Sequence, residues 1–277
     1  MGESIKDLGH LKKKYENTGV LAHETESFSN VFVEDGLEEY RKEGHHPAYI
    51  GEILNSRYVL IEKIGKGDFS TVWLSKDCKF NKLVAIKIMK SEINFLEASF
   101  DEVELLQKTI KCSNTERWSK FRMETLNKLK KNENFKDYDN FLKRPISKLL
   151  NSFIIQSVYG RHFCMVFQLL GSSLRSIMNY NQNQGFPINK CRLIAKQLLI
   201  GVHFLHEECG IIHADLKPEN ILTMLDKQTI DFVNQNNSFL NVKKNKNRFN
   251  NICASIKKIK ENNYNKSEYN FEKIQNN

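Results

Sequence analysis

The sequence has no apolar run approaching the roughly 18 residues that a bilayer-spanning helix needs. Residues 1–14 also lack the hydrophobic centre of a secretory signal, so neither membrane insertion nor secretion is expected. Gly2 follows Met1, but Lys6 stands where a myristoylation signal wants serine or threonine. The six cysteines, at 78, 112, 164, 191, 209 and 253, show no paired spacing. That excludes a disulfide framework and points to reduced, mostly buried thiols. Hydrophobic residues are scarce at 40%, and the mean hydropathy is −0.51. A share of the chain is therefore expected to be disordered, although 277 residues suffice for one large domain or two small ones.

Positive charge is abundant. Forty-two Lys and Arg against 33 Asp and Glu leave a net charge of +9. Such an excess suits nucleic acid or an anionic surface, but here much of it sits in Lys/Asn-rich stretches. The tail beyond about residue 227 has no regular aromatic interleaving, and Phe239, Phe249 and Tyr264 look incidental. Direct nucleic-acid binding is not expected. Residues 1–30 are polar and of mixed charge, which suggests a flexible extension, with order beginning near Val31-Phe32-Val33. The adjacent His45 and His46 precede Pro47 and have no cysteine or acidic partner at ligand spacing, so they read as a loop and not as a metal site.

The pattern sharpens after residue 56. Arg57–Ile64 is β-prone, Gly65-Lys66-Gly67-Asp68-Phe69-Ser70 follows directly, and Leu83–Met89 is a second β-branched run. Strand, glycine turn and strand make a hairpin, unlike the strand-to-helix entry of a dinucleotide site. Glycines at 65 and 67 let the backbone pass close over phosphates that side chains would block. Lys87 lies on the second strand and, if buried, needs a carboxylate partner. Residues 99–106 read as a helix with Phe100, Val103 and Leu106 on one face, where either Glu102 or Glu104 could serve. Spacing alone does not choose between them.

From Ser113 to Arg144 the chain turns charged and Asn/Lys-rich, with scattered Trp118, Phe121 and Leu126. It reads as an insertion, helical in part over 115–131. Strands are predicted at 146–155 and 162–167, joined by a Tyr159-Gly160 turn, then a hinge at 168–171 and a short helix from Ser173. Ile194, Leu198, Val202 and Leu205 make 189–208 an amphipathic helix. The three-residue recurrence of His203, His206 and Cys209 fits helix packing. A short polar segment, His213-Ala214-Asp215-Leu216-Lys217-Pro218-Glu219-Asn220, then lies between apolar pairs. An aspartate there can accept a hydroxyl proton, and an asparagine five positions on can offer its side-chain oxygen to magnesium.

These motifs, in this order, resemble the protein kinases and most specifically the SR-protein kinases, which phosphorylate serines in Arg-Ser repeats of splicing factors. The matches are His46-Pro47 with Ile50-Gly51, Gly-x-Gly-x-Phe-Ser-Thr-Val-Trp at 65–73, and Asp-Glu-Val-x-Leu-Leu at 101–106. Cys-Met-Val-Phe-x-Leu-Leu-Gly at 164–171 and His-x-Asp-x-Lys-Pro-Glu-Asn-Ile-Leu at 213–222 complete them. The match covers roughly 45–112 and 146–226.

The resemblance implies an α+β, two-lobed kinase fold with a complete β-rich N-lobe and a helical C-lobe only partly present. It implies ATP and Mg2+ as cofactors. ATP-binding positions would be Ile64, Gly65, Lys66, Gly67, Asp68, Phe69, Ser70, Val72, Ala85, Lys87, Glu102, Phe167, Gln168 and Leu170. Glu102 is the family's partner for the lysine, Phe167 the gatekeeper, and Gln168 stands where the family usually has glutamate. Asp215 and Lys217 would be catalytic, and Asn220 would bind metal. Ala214 replaces the arginine that grips an activation-loop phosphate in many kinases; the SR-protein kinases lack it too, which implies activity without such phosphorylation. The implied domain plan is 31–168 for the N-lobe with its 113–144 insertion, 169–226 for the hinge and catalytic loop, and 227–277 for a disordered spacer. Arg-Ser-rich proteins would be the partners of a monomer acting in cytoplasm and nucleus.

One departure matters more than the matches. A kinase needs an aspartate, usually in Asp-Phe-Gly, to hold magnesium against the phosphates. The candidate here is Asp231-Phe232-Val233, which lacks the glycine and sits slightly too close to Asn220, so Asp231 reads as linker. The expectation is a chain cut off within the family's spacer. A pseudokinase or scaffold, and a related kinase of the LAMMER group, are the alternatives.

Overall fold

The computed structural model describes residues 39–129, 138–182 and 185–237. The expected extension at 1–30, the onset of order near residue 31 and the tail beyond residue 237 lie outside them. Six strands form one antiparallel sheet: β1 (Ile53–Leu54), β2 (Tyr58–Lys66), β3 (Ser70–Asp77), β4 (Lys82–Met89), β5 (Leu149–Ser157) and β6 (Gly160–Gln168). Their order is β1-β2-β3-β4-β6-β5.

Alternation along the strands explains why both faces are covered. Val84, Ile86 and Ile88 of β4 join Tyr58, Leu60, Trp73, Cys164 and Val166 in one buried cluster. The lead-in segment closes this cluster through Ala48. Tyr58 stacks on Phe153 with ring centroids 5.5 Å apart, and its hydroxyl accepts a 3.0 Å hydrogen bond from Asn151. At the far end of the hairpin, the Arg57 guanidinium donates two hydrogen bonds, of 2.8 and 2.6 Å, to the buried Asp77 carboxylate.

Helix α1 (Ile93–Cys112) lies on the opposite face. Its apolar stripe behaves as the spacing predicts: Val103 is buried, and Phe100 and Leu106 pack with it against Met89, Phe163 and Met165. The helix begins earlier than the sequence pattern suggests because Phe95 and Leu96 extend the same stripe. A hinge at Gln168–Gly171 then leads to α4 (Leu174–Tyr180), which Ser173 caps by accepting from the Ser176 N–H. The long helix α5 (Ile188–His203) runs on through a π-helical turn at Phe204–Glu208.

The 113–144 insertion holds helices α2 (Glu116–Leu129) and α3 (Tyr138–Lys143). They pack against Ile200 of α5 and against Phe204 and Cys209 beyond it. Trp118, fully buried, stacks on Phe121 at 5.0 Å, meets the tilted ring of Phe204 at 4.7 Å, and donates to the Leu142 carbonyl at 3.0 Å. A segment that reads as charged and without assignment is a bracket against the C-terminal helices.

One sequence expectation needs correcting. The first residues of the expected disordered spacer form helix α6 (Lys227–Asn236). Asp226 caps it, its carboxylate accepting from the Thr229 N–H at 2.7 Å, and Val233 packs onto Ile61, Leu74, Leu83 and Leu169. Asp231 is therefore an exposed helical residue and not part of a linker. His45 and His46 lie in irregular chain, as the sequence suggests, and are buried there. His46 Nε2 pairs with Glu52 Oε1 at 2.8 Å, and its ring lies 5.1 Å from that of buried His162.

Candidate nucleotide and phosphotransfer site

The sheet registers decide which side chains share the face beneath the glycine turn. Val72 on β3 and Met165 on β6 stand opposite Lys87 of β4. One rung along, Leu74 and Phe167 stand opposite Ala85. Residues directly opposite in an antiparallel pair project to the same side, so Val72, Ala85, Lys87 and Phe167 form one partly buried surface. Phe167 also packs against the cluster under α1. Gln168 and Leu170 follow at the edge of this surface, half-buried, and Ile64 is 47% exposed at its rim.

Lys87 and Glu102 meet. The Lys87 ammonium lies 3.0 Å from Oε1 and 2.9 Å from Oε2 of Glu102, a bidentate contact between half-buried side chains. Position on α1 explains the choice: Val103 faces the core, which turns Glu102 toward β4, whereas Glu104 is exposed.

The glycine turn is the predicted hairpin. Gly65 stands opposite Val72 and Lys66 opposite Thr71, and the Gly67 N–H donates to the Ser70 carbonyl at 2.9 Å. Asp68 and Phe69 are exposed at its tip. The tip is tethered by the Lys90 N–H, which donates to the Phe69 carbonyl at 3.0 Å, and by the Phe69 ring 4.9 Å from Phe95 of α1. Lys66 pairs with Glu39 of the lead-in segment at 2.6 Å. A Cβ on Gly65 would meet nothing closer than 3.5 Å, and one on Gly67 nothing closer than 3.9 Å. The chain itself thus has no steric need for glycine at these two positions.

The second group is the loop at 213–220. Asp215 Oδ2 lies 3.0 Å from the Lys217 ammonium. The Asn220 amide donates to the Asp215 carbonyl and to Asp215 Oδ2, both at 2.9 Å. Hydrogen bonding from Lys217, then from Asn220, and the charge of Lys217 hold the Asp215 carboxyl below its usual range, so it is an ionised acceptor at neutral pH. Since the Asn220 nitrogen is spent on Asp215, its side-chain oxygen is the atom that remains for a cation. Ala214 adopts φ +60°, the left-handed region that costs a residue with a Cβ about 1–2 kcal/mol. The turn that presents Asp215 is therefore held under strain.

This loop is pinned to the hinge by its downstream end. The Gly171 N–H donates to the Thr223 carbonyl at 2.9 Å, Thr223 N–H to Ser172 at 3.1 Å, and Leu174 N–H to Ile221 at 2.8 Å. The approach is so close that a Cβ at Gly171 would collide with the Thr223 hydroxyl. Among the described residues, no hydrogen bond or ion pair joins Lys87 or Glu102 to Asp215, Lys217 or Asn220. Two half-sites are each assembled by their own contacts. Asp231 joins neither, because α6 carries it in an exposed helix.

A family model described as "Protein kinase domain" matches residues 58–234, more than half of the chain. The chain belongs to the protein kinase family. Among its curated relatives, the serine/threonine-protein kinase SRPK of Physarum polycephalum is 38% identical over 68% of this chain. Protein kinase dsk1 of Schizosaccharomyces pombe is 37% identical over 72% of it, and human SRSF protein kinase 3 is 37% identical over 66%. These relatives bear out the resemblance to the SR-protein kinases. The kinase chain spans 38%, 32% and 28% of their respective lengths. A solved kinase domain aligns with 65% of this chain and 44% of its own, at 26% identity and a TM-score of 0.49.

Three features of this kinase escaped the sequence reading: the packing role of the 113–144 insertion, whose helix predicted over 115–131 is α2, the burial of the histidine pair and α6. For the bracket a signal existed, since Trp118 and Phe121 lie three apart and share a helical face. The histidines gave none, because Glu52 and His162 come together only when the lead-in segment docks on the sheet.

Proposed function

We propose that the chain carries the nucleotide-binding lobe and the catalytic loop of a serine/threonine kinase whose substrates are Arg-Ser-rich proteins. The observation that carries this reading is the bidentate Lys87–Glu102 contact at 2.9–3.0 Å on the same surface as Val72, Ala85 and Phe167. An apolar surface with one held cation and an unobstructed glycine turn suits a nucleotide: an adenine against Val72, Ala85 and Leu170, phosphates at Lys87 and beneath Gly65–Ser70.

ATP supplies the transferable phosphoryl group when bound. Glu102 fixes the Lys87 ammonium so that it need not reorganise during transfer. Asp215, kept ionised by Lys217 and Asn220, accepts the proton of the substrate hydroxyl, and Lys217 balances charge on the phosphate. The fit to magnesium is partial. Asn220 offers one oxygen, and no Asp-x-Gly follows it in the sequence; among the described residues, no cluster of three acidic, histidine or cysteine side chains could hold a metal. The 277-residue polypeptide by itself is therefore expected to bind nucleotide while transferring little phosphate. By resemblance the kinase acts as a monomer on splicing factors in cytoplasm and nucleus; no described helix is long and apolar enough to cross a membrane.

A second reading is a pseudokinase that binds nucleotide or partners without chemistry. It is favoured by one observation: Asp231-Phe232, the Asp-Phe that follows Asn220, lies in α6 with Asp231 exposed. The test is a pair of measurements on the chain. ATP binding by calorimetry should weaken at least tenfold in Lys87→Met; a wild-type chain that folds and binds no nucleotide sinks the proposal. Transfer to an Arg-Ser repeat peptide should stay far below the 1–100 s−1 typical of kinases. A rate in that range that vanishes in Asp215→Asn would show that these residues suffice and would exclude the pseudokinase.

A further inference from the structure

Two cysteines meet where the insertion joins the catalytic loop. Cys112 ends α1, and Cys209 follows the π-helical turn that leads to the loop bearing Asp215. Both belong to the cluster around Trp118, both are free thiols, and the Cys112 thiol neighbours that of Cys209. The junction that holds them is tight. The Thr115 hydroxyl bridges the Cys112 carbonyl at 3.0 Å and Glu208 Oε2 at 3.1 Å. Arg117 pairs with Glu207 at 3.4 Å and Glu208 at 3.1 Å.

We infer that Cys112 and Cys209 form a peroxide-sensitive dithiol whose disulfide ties α1, the helix of Glu102, to the root of the catalytic loop. The chemistry balances with hydrogen peroxide as oxidant. The half-buried Cys112, as thiolate, attacks one peroxide oxygen; an S–O bond forms, the O–O bond breaks, and hydroxide leaves as water after taking a proton. The Cys209 sulfur then attacks the sulfenic sulfur of Cys112; the S–S bond forms, the S–O bond breaks, and a second water departs. Two thiols and one peroxide yield one disulfide and two waters. Burial, foremost, raises the Cys209 thiol to about 12, which makes it the poorer first nucleophile and leaves it the resolving role. The Lys108 ammonium beside Cys209 and Gly210 offsets part of that rise, and Cys209 gives up its proton to the departing hydroxide as the S–S bond forms. Both exposed Cys191 and buried Cys78 and Cys164 lie outside the junction.

The experiment treats the full chain with hydrogen peroxide under native conditions, then blocks free thiols and maps peptides without reductant. The expected product is a dithiothreitol-sensitive cross-link between the peptides of Cys112 and Cys209, absent in Cys112→Ser. The oxidised wild type should also melt about 5 °C or more higher than the reduced chain, because the bridge closes a long loop, and Cys112→Ser should show no rise. If Cys112 and Cys209 both remain free for alkylation at a peroxide dose that oxidises Cys191, the proposal fails. A cross-link of either to another cysteine, or an equal melting rise in Cys112→Ser, overturns it as well.

Discussion

The two half-sites are held by different means. Lys87 and Glu102 stand on a strand and a helix fixed by buried residues such as Ile86, Ile88 and Val103, each 1% exposed or less. Asp215, Lys217 and Asn220 stand on a loop with no buried side chain among them; Asp215 is 63% and Lys217 50% exposed. Close packing of these neighbours fixes the strand and the helix that carry the first pair. The second depends on hydrogen bonds that compete with water, on the strained turn at Ala214 and on the backbone ladder from Gly171 to Leu174. The lesson is that one chain can preorganise half of a candidate site by burial of its neighbours while the other half rests on polar contacts. Between them stands the α2–α3 bracket, which joins the end of α1 to the helical turn before the catalytic loop.

Substitutions can break this comparison at its joint or sharpen it on either side. The largest effect should come from Trp118→Ala, which empties a fully buried site and orphans the Leu142 carbonyl. A loss of about 3–5 kcal/mol is expected in urea unfolding; a loss under about 1 kcal/mol would mean that the bracket does not join the two regions.

On the side built by burial, His162 gives the next largest effect. Its ring is fully buried, with Nδ1 2.9 Å from the Met89 carbonyl and Nε2 2.8 Å from the Ser157 hydroxyl. Burial, helped by the neighbouring His46, lowers its pKa from 6.5 to about 4. Between those values the unfolded chain binds a proton that the folded chain refuses. Stability is therefore full above pH 6.5 and declines as the pH falls toward 4, by about 3 kcal/mol. His162→Asn should remove that slope from a series of unfolding midpoints; an unchanged slope would assign it to other groups.

Smaller effects are expected where the C-terminal parts touch the sheet. Val233→Ala should cost about 1 kcal/mol, seen as loss of α6 amide protection in hydrogen exchange, because Val233 is only partly buried against Ile61, Leu74 and Leu83. The smallest effect should be that of Asn220→Ala. Its partners are exposed, so the unfolding free energy should change by no more than about 0.5 kcal/mol, while nuclear magnetic resonance shifts of Asp215 and Lys217 move. A large loss of stability there would erase the distinction between the two half-sites.

Much of this was legible in the sequence for local reasons. Strand alternation in Leu83–Met89 and the helical face of Phe100, Val103 and Leu106 are set by neighbours in the chain, and the glycine turn needs only the hairpin. The choice between Glu102 and Glu104 was not legible from spacing, since it depends on which side of α1 the sheet covers. His46 gave no sign of its partners for the same reason. The helix at Lys227–Asn236 was misread because composition outweighed a cap at Asp226 and one apolar contact at Val233, which exists only against the folded sheet.

By itself, then, the sequence determined most of the elements in order, the family and, through the resemblance, the Lys87–Glu102 pairing, because periodicity, turn chemistry and motif spacing are local properties. Tertiary structure alone decided that the insertion grips the C-terminal helices, that His46 lies beside His162 and that Cys112 neighbours Cys209. Each of those contacts joins residues from separate elements, and their positions are fixed by the packing of apolar faces that no local pattern specifies.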